Sequence, residues 1–164
     1  MALQSKMLLY VAIVGLLALL GAIFWYGNQD APELEQVEIE LTNVEFISVN
    51  TVEGITKLEV TFLVKNPSDT TFTVSLIDYQ LYADGELLGS GAYSTVDVAM
   101  PGRAIFSSGA EIPLKNTFEL DKAEINNEIY QQVLDNSINS FKAEGTINTE
   151  SAWSSGEKKF DSST

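Results

Sequence analysis

Neither cysteine nor histidine occurs anywhere in the 164 residues. Without thiols there is no disulfide, no lipid attached through cysteine and no thiolate nucleophile, so a folded domain here must be stable on packing alone. Without imidazole, the usual nucleophile–base pairs and the common transition-metal sites are missing as well. Bases are scarce too: nine Lys and Arg stand against 23 Asp and Glu, a formal net charge of −14. Lys6 is the only charged side chain before Asp30, so nearly all of this imbalance belongs to the later part of the chain. So acidic a surface repels nucleic acid and anionic headgroups, and both are excluded as partners. Acidity of this degree also fits proteins from salty habitats.

What the chain does have, first, is one long apolar run. Met7 to Tyr26 reads MLLYVAIVGLLALLGAIFWY, without a charge or a proline. At about 1.5 Å per residue it spans about 30 Å, the hydrocarbon thickness of a bilayer. Phe24, Trp25 and Tyr26 cluster at one end and Tyr10 sits near the other, as interfacial anchoring favours. Lys6 and the amino terminus flank the first end, and Asp30, Glu33 and Glu35 follow the second. The positive-inside rule then places the N-terminus in the cytoplasm and the remainder outside it. A cleavable signal peptide is the competing reading. Its apolar core is shorter, about 7–15 residues, and ends in small residues, whereas Leu20 and Trp25 stand where they spoil the nearest cleavage candidates. Gly15, Ala18 and Ala22 share one helical face, which would let a second helix approach closely.

The expected organisation is therefore a cytoplasmic tip and anchor over 1–27, a polar linker over 28–36 and a single domain over 37–164. Strand signals begin at once in that domain. Val37, Ile39 and Leu41 alternate with Glu38 and Glu40; the phase flips after Thr42-Asn43 and flips back at Ile47, which predicts bulges or bends. The clearest strand is 57–65, with Leu58, Val60, Phe62 and Val64 on one face. It stops at Asn66-Pro67, where proline removes a ladder donor and Asn caps the turn. Alternation resumes at Phe72, Val74 and Leu76 and shifts phase before Tyr79 and Leu81; Asp84-Gly85 then marks a tight hairpin. Further strands are expected at 93–99, 104–113, 140–149 and 157–161. Ile125, Ile129 and Val133 recur every fourth residue, with Leu134 and Ile138 alongside, predicting an amphipathic helix over 121–138 capped by Asp121 and Glu124. Short strands at this spacing point to a mainly β, antiparallel sandwich with one helix laid on an edge or end.

No catalytic, cofactor or metal residue emerges. Glu33, Glu35, Glu38 and Glu40 cluster at a strand entry, which a solvated face explains. There is no calcium loop of the D-x-D-x-D-G type, and Asn66-Pro67-Ser68 is blocked as a glycosylation site by its proline.

The run LEVTFLVKNPSDTTFTVSLIDYQLYADGELLGSG, residues 58–91, resembles the water-stress-and-hypersensitive-response (WHy) domain of group 2 late-embryogenesis-abundant proteins. The features that carry the resemblance are the strand ending in Asn66-Pro67, the second strand from Phe72, the Tyr82-Ala83-Asp84-Gly85 hairpin and the small-residue exit at Gly89-Ser90-Gly91. The later Phe141-Lys142-Ala143-Glu144-Gly145 strand also fits, and the likeness extends over about residues 35–161. It implies an immunoglobulin- or fibronectin-III-like sandwich and a non-catalytic role in protection under desiccation or osmotic stress, often in membrane-anchored form. The missing cysteines and uncleaved anchor fit a prokaryotic, archaeal-type envelope. The partners expected are the lipid bilayer, through the N-terminal helix, and a protein of the membrane or envelope, with no small-molecule substrate. The alternative function is a structural accessory subunit of a membrane or cell-surface complex.

Overall fold

The computed structural model describes residues 2–27, 31–95 and 102–164. Asp30, residues 96–99 of the strand expected over 93–99, and Pro101 lie outside these. Helix α1 (Ala2–Gly27) is followed by a single helical turn, α2 (Ala31–Leu34). The described residues continue with eight strands and one further helix: β1 (Glu38–Asn50), β2 (Ile55–Lys65), β3 (Phe72–Ala83), β4 (Glu86–Ser94), β5 (Ile105–Phe106), β6 (Glu111–Asp121), α3 (Asn127–Leu134), β7 (Phe141–Glu150) and β8 (Ser155–Ser163).

Side chains 6–25 of α1 are all exposed. The stretch Lys6–Trp25 has a mean hydropathy of 2.7 and none of it is buried within the chain. By length and composition this helix is long and apolar enough to cross a membrane, as an anchor or a signal sequence would be.

The strands form two antiparallel sheets, β1-β2-β6 and β4-β3-β7-β8, with β5 pairing the start of β3. Their facing sides make one core. On β2 the predicted period of two holds: Leu58, Val60, Phe62 and Val64 are each no more than 1% exposed. Phe62 meets Tyr79 edge-on at 4.9 Å and Phe160 at 5.7 Å, joining the two sheets through their rings. Phe72 stacks on Phe106 at 5.3 Å. Burying each such side chain contributes about 1.5–3 kcal/mol, and this packing carries the stability of a chain without disulfides.

Register shifts in β1 fall between Leu41 and Asn43 and between Phe46 and Ser48, so Thr42 and Ile47 are the extra residues that flip the phase. In β3 the shift lies between Val74 and Leu76, one pair earlier than the alternation predicts, and Ile77 rather than Leu76 is buried.

Three boundaries differ from expectation. The strand expected over 104–113 is two: β5 ends at Phe106, Gly109 turns the chain at φ 73°, and β6 begins at Glu111. Pro113 is tolerated inside β6 because β6 is an edge strand. β6 then continues to Asp121, burying Leu114, Phe118 and Leu120, so the helix expected over 121–138 shortens to Asn127–Leu134. Pairing with β2 holds the strand conformation as far as Asp121, and a turn at 122–124 separates it from the helix. Asp121 closes a turn instead, accepting from the Ala123 N–H at 2.8 Å, and Asn126 is the true cap, accepting from Glu128 N at 3.0 Å. The short helix still packs as an amphipathic element: Ile129, Tyr130 and Val133 are buried, and the Thr56 hydroxyl donates to Tyr130 Oη at 3.0 Å.

The third difference concerns the stretch read as linker. Leu34 is completely buried in the core and Glu33 accepts a hydrogen bond from the Thr70 hydroxyl. The folded body thus begins at about residue 33, because one apolar side chain in a polar run has a slot between β7 and β8: Gly156 leaves room against Leu34 Cβ, and Thr149 Oγ1 lies 3.5 Å from the Leu34 carbonyl.

Candidate functional surfaces

Asn66, 1% exposed, stands where β2 ends. Its Nδ2 donates to the carbonyls of Thr70 and Phe106, both at 2.9 Å. Its Oδ1 accepts from the Ser68 N–H at 3.0 Å and the Ser68 hydroxyl at 2.8 Å. Its backbone N–H donates to Ala110 O and its carbonyl accepts from Gly109 N. Every polar atom of this residue is spent joining the β2–β3 and β5–β6 connections, and none is left to meet a ligand. Pro67 follows it in the same turn.

Asp84 and Gly85 form the β3–β4 turn with φ 47° and 88°, the left-handed pair such a two-residue hairpin requires. The Asp84 carboxylate reaches further. It accepts from the N–H groups of Asn139 and Ser140, at 3.2 and 3.0 Å, and from Asn139 Nδ2 at 3.1 Å. These donors, the Asn139 N–H foremost, hold its carboxyl below the ordinary range. The turn thus fastens the loop that leads into β7.

Between the rows of side chains on the outer face of the larger sheet lies an open concavity of about 600 Å³, bordered by Asp78, Gln80, Glu144, Lys159 and Asp161. Tyr79, Gly91 and Gly145 also line it: the Tyr79 ring lies against Gly91, and backbone of β3 crowds Gly145. A polar ladder crosses this face. The Tyr82 hydroxyl donates to Glu144 Oε1 at 2.7 Å, Lys142 Nζ reaches Glu144 at 3.2 Å, and Lys142 continues to Asp161 at 2.8 Å. The Tyr82 hydroxyl and Lys142 hold the Glu144 carboxyl low, while the Glu144 carboxylate pushes the Tyr82 phenol up. Asp161 raises Lys142 in the same way. These contacts favour the charged forms of Glu144 and Lys142.

The second surface is apolar. β1 is an edge of its sheet, and in its later half Phe46, Ile47 and Val49 are 42, 49 and 38% exposed, with Val52 of the following turn at 93%. β8 covers only the start of this edge, where Leu41 N donates to Ser162 Oγ and Lys158 Nζ to Val37 O. Two exposed apolar residues elsewhere are not distinguished by local pattern: Trp153, at 75%, and Ile105, at 59%. The signal for Trp153 is compositional, a bulky aromatic in an otherwise small and polar turn, Ser151-Ala152-Trp153-Ser154.

The remaining sequence candidates stay apart. Gly15, Ala18 and Ala22 lie on α1 and touch nothing else among the described residues. Glu33 is bonded to Thr70 and Glu40 is paired with Lys65 at 3.0 Å, so the acids at the strand entry do not converge on a common centre. Among the described residues no group of three or more acids is arranged to hold a metal ion.

No family model matches the chain, and no curated protein is found similar to it. Solved structures do resemble it. A protein from Archaeoglobus fulgidus is 12% identical, with 77% of this chain and 94% of that one covered and a TM-score of 0.50. A protein from Arabidopsis thaliana, solved in solution, is also 12% identical, with 77% and 78% covered and a TM-score of 0.56. At such identities these likenesses show a shared sandwich fold and nothing further. A third structure, provisionally assigned to the late-embryogenesis-abundant proteins, covers 93% of this chain, but its TM-score of 0.39 is too low to weigh on the fold or the function.

Proposed function

We propose that this chain is a non-enzymatic domain tethered to a membrane by α1 and displayed outside the cytoplasm, where it protects neighbouring proteins under desiccation or osmotic stress. The observation that carries this reading is how the charge is distributed. Lys57, Lys65, Arg103, Lys115 and Lys142 are all spent in ion pairs with Glu119, Glu40, Glu150, Glu59 and the Glu144–Asp161 couple. Acids such as Glu86 and Glu157 stand in no ion pair among the described residues. The excess is therefore uncompensated over the surface and must be balanced by water and counter-ions. Such a surface keeps like-charged bodies apart over roughly a Debye length, a range that shortens as salt rises. The resemblance of residues 58–91 to the WHy domain and the sandwich fold it implied support the same reading. Deleting residues 30–164 should lower survival and raise protein aggregation after drying or osmotic shock; unchanged survival and aggregation would refute the protective role.

A second reading is favoured by the exposed Phe46, Ile47 and Val49 on the half of β1 whose outer edge carries no strand among the described residues. An open, apolar strand edge is the feature on which another chain adds a strand. On this reading the protein is an accessory subunit of an envelope complex, with α1 packing through Gly15, Ala18 and Ala22. Purification of the full-length chain in mild detergent separates the two: a stoichiometric partner supports the subunit, a lone monomer the protective domain.

A further inference from the structure

We propose that the end of the sandwich nearest α1 sits on the bilayer surface, with the indole of Trp153 inserted at headgroup level. The inference rests on α1 spanning the membrane and specifies how the domain is held there.

The tether comes first. From Gly27, the last residue of α1, only seven peptide steps lead to Leu34, which is locked in the core. Three of those steps lie in the helical turn α2. At about 3.6 Å per extended step and 1.5 Å per helical one, Leu34 stands within about 20 Å of the end of α1. That end of the sandwich has little freedom to leave the bilayer.

The β7–β8 turn occupies the same end. Gly156 packs against Leu34, and Trp153 is three residues earlier, so it lies within about 10 Å of Gly156. The turn that carries it is braced. Ser151 N donates to Ser154 O at 2.8 Å, and the Ser151 hydroxyl accepts from Trp153 N at 3.3 Å and Ser154 N at 3.1 Å. The indole is thus held outward by a built turn, 75% exposed, with no core slot to enter. Ile105, 59% exposed, is at the same end: Thr73 pairs with Ile105 on one side and with Glu150, the last residue of β7, on the other. An indole with an apolar body and one N–H donor partitions to the membrane interface, and isoleucine adds apolar area beside it. The acids here favour a zwitterionic surface, for Glu150 is tied to Arg103 at 3.7 Å while Glu157 is not paired among the described residues.

The chain holds two tryptophans, Trp25 and Trp153, so two variants isolate them. The full-length protein is reconstituted in phosphatidylcholine vesicles carrying bromine on the acyl chains near the headgroup. In W25F, Trp153 emission should be blue-shifted and lose a fraction comparable with that lost by Trp25 in W153F. If Trp153 emits as in water and is unquenched while Trp25 is quenched, the anchor stands and the docking is overturned. If neither is quenched, the anchor fails and the docking with it.

Discussion

Replacing Asn66 by Asp separates two accounts of this heavily bonded residue. Aspartate keeps the acceptor that takes the Ser68 N–H and hydroxyl, so a role confined to shaping the turn after β2 would survive the change. It loses Nδ2, whose two bonds cross to Thr70 O and, across 40 residues of sequence, to Phe106 O. An oxygen would then face two carbonyl oxygens at hydrogen-bond distance in a site 1% exposed. The Phe106 carbonyl, in a buried contact, forfeits about 2 kcal/mol, and the Thr70 carbonyl, partly open to solvent, about 1 kcal/mol. The carboxyl must also be buried charged or neutralised, at a further cost of at least about 1 kcal/mol at neutral pH. The expected loss is therefore about 4 kcal/mol, or on the order of 10 °C in Tm for a domain of this size. Thermal unfolding of the detergent-solubilised chain, followed by near-ultraviolet circular dichroism, measures it. The sign of the pH dependence adds a check. A buried carboxyl with its folded pKa raised is harmless below its unfolded value near 3.9 and costly above, so the deficit relative to the native chain should grow from pH 4 to pH 7. A variant within about 1 kcal/mol of the native chain at pH 7 would refute the cross-linking role.

Three further outcomes follow from other sites. Leu34→Ala should destabilise the sandwich by about 2–5 kcal/mol, although the residue lies in a stretch that reads as linker; a neutral result in the same melt would detach residues 33–36 from the domain. Gly145→Ala should cost about 3 kcal/mol or leave the protein insoluble, because its Cβ would press on the Asp78 carbonyl and the Tyr79 backbone; soluble expression with an unchanged Tm would contradict the close approach of β3 and β7. Asp84→Ala should be more destabilising at pH 7 than at pH 2–3. The depressed native carboxyl stabilises above the unfolded pKa and loses that contribution as pH falls through its folded value, and a pH-independent difference in urea midpoints would refute this.

The features legible in advance were those written in local pattern. The apolar run from Met7 to Tyr26, the period of two on β2, the phase flips of β1 and the Asp84-Gly85 turn each depend on neighbouring residues, so composition and spacing were enough to find them. The acidic excess and the lack of imidazole and thiol likewise narrowed the function without any coordinates.

Packing between distant segments decided the rest. Residues 114–121 run on as a strand into the stretch expected to be helical, and the presence of β2 alongside carries that strand through Asp121. Leu34 is an isolated apolar residue in a polar run until Gly156 offers it space. Asn66 has the look of a turn former until Phe106 is brought within 2.9 Å of its amide. The placement of Trp153 beside the entry of the chain depends on β7 and β8 closing against α2. Each is a contact between residues far apart in sequence, and its free energy exists only once the chain has closed the intervening loop.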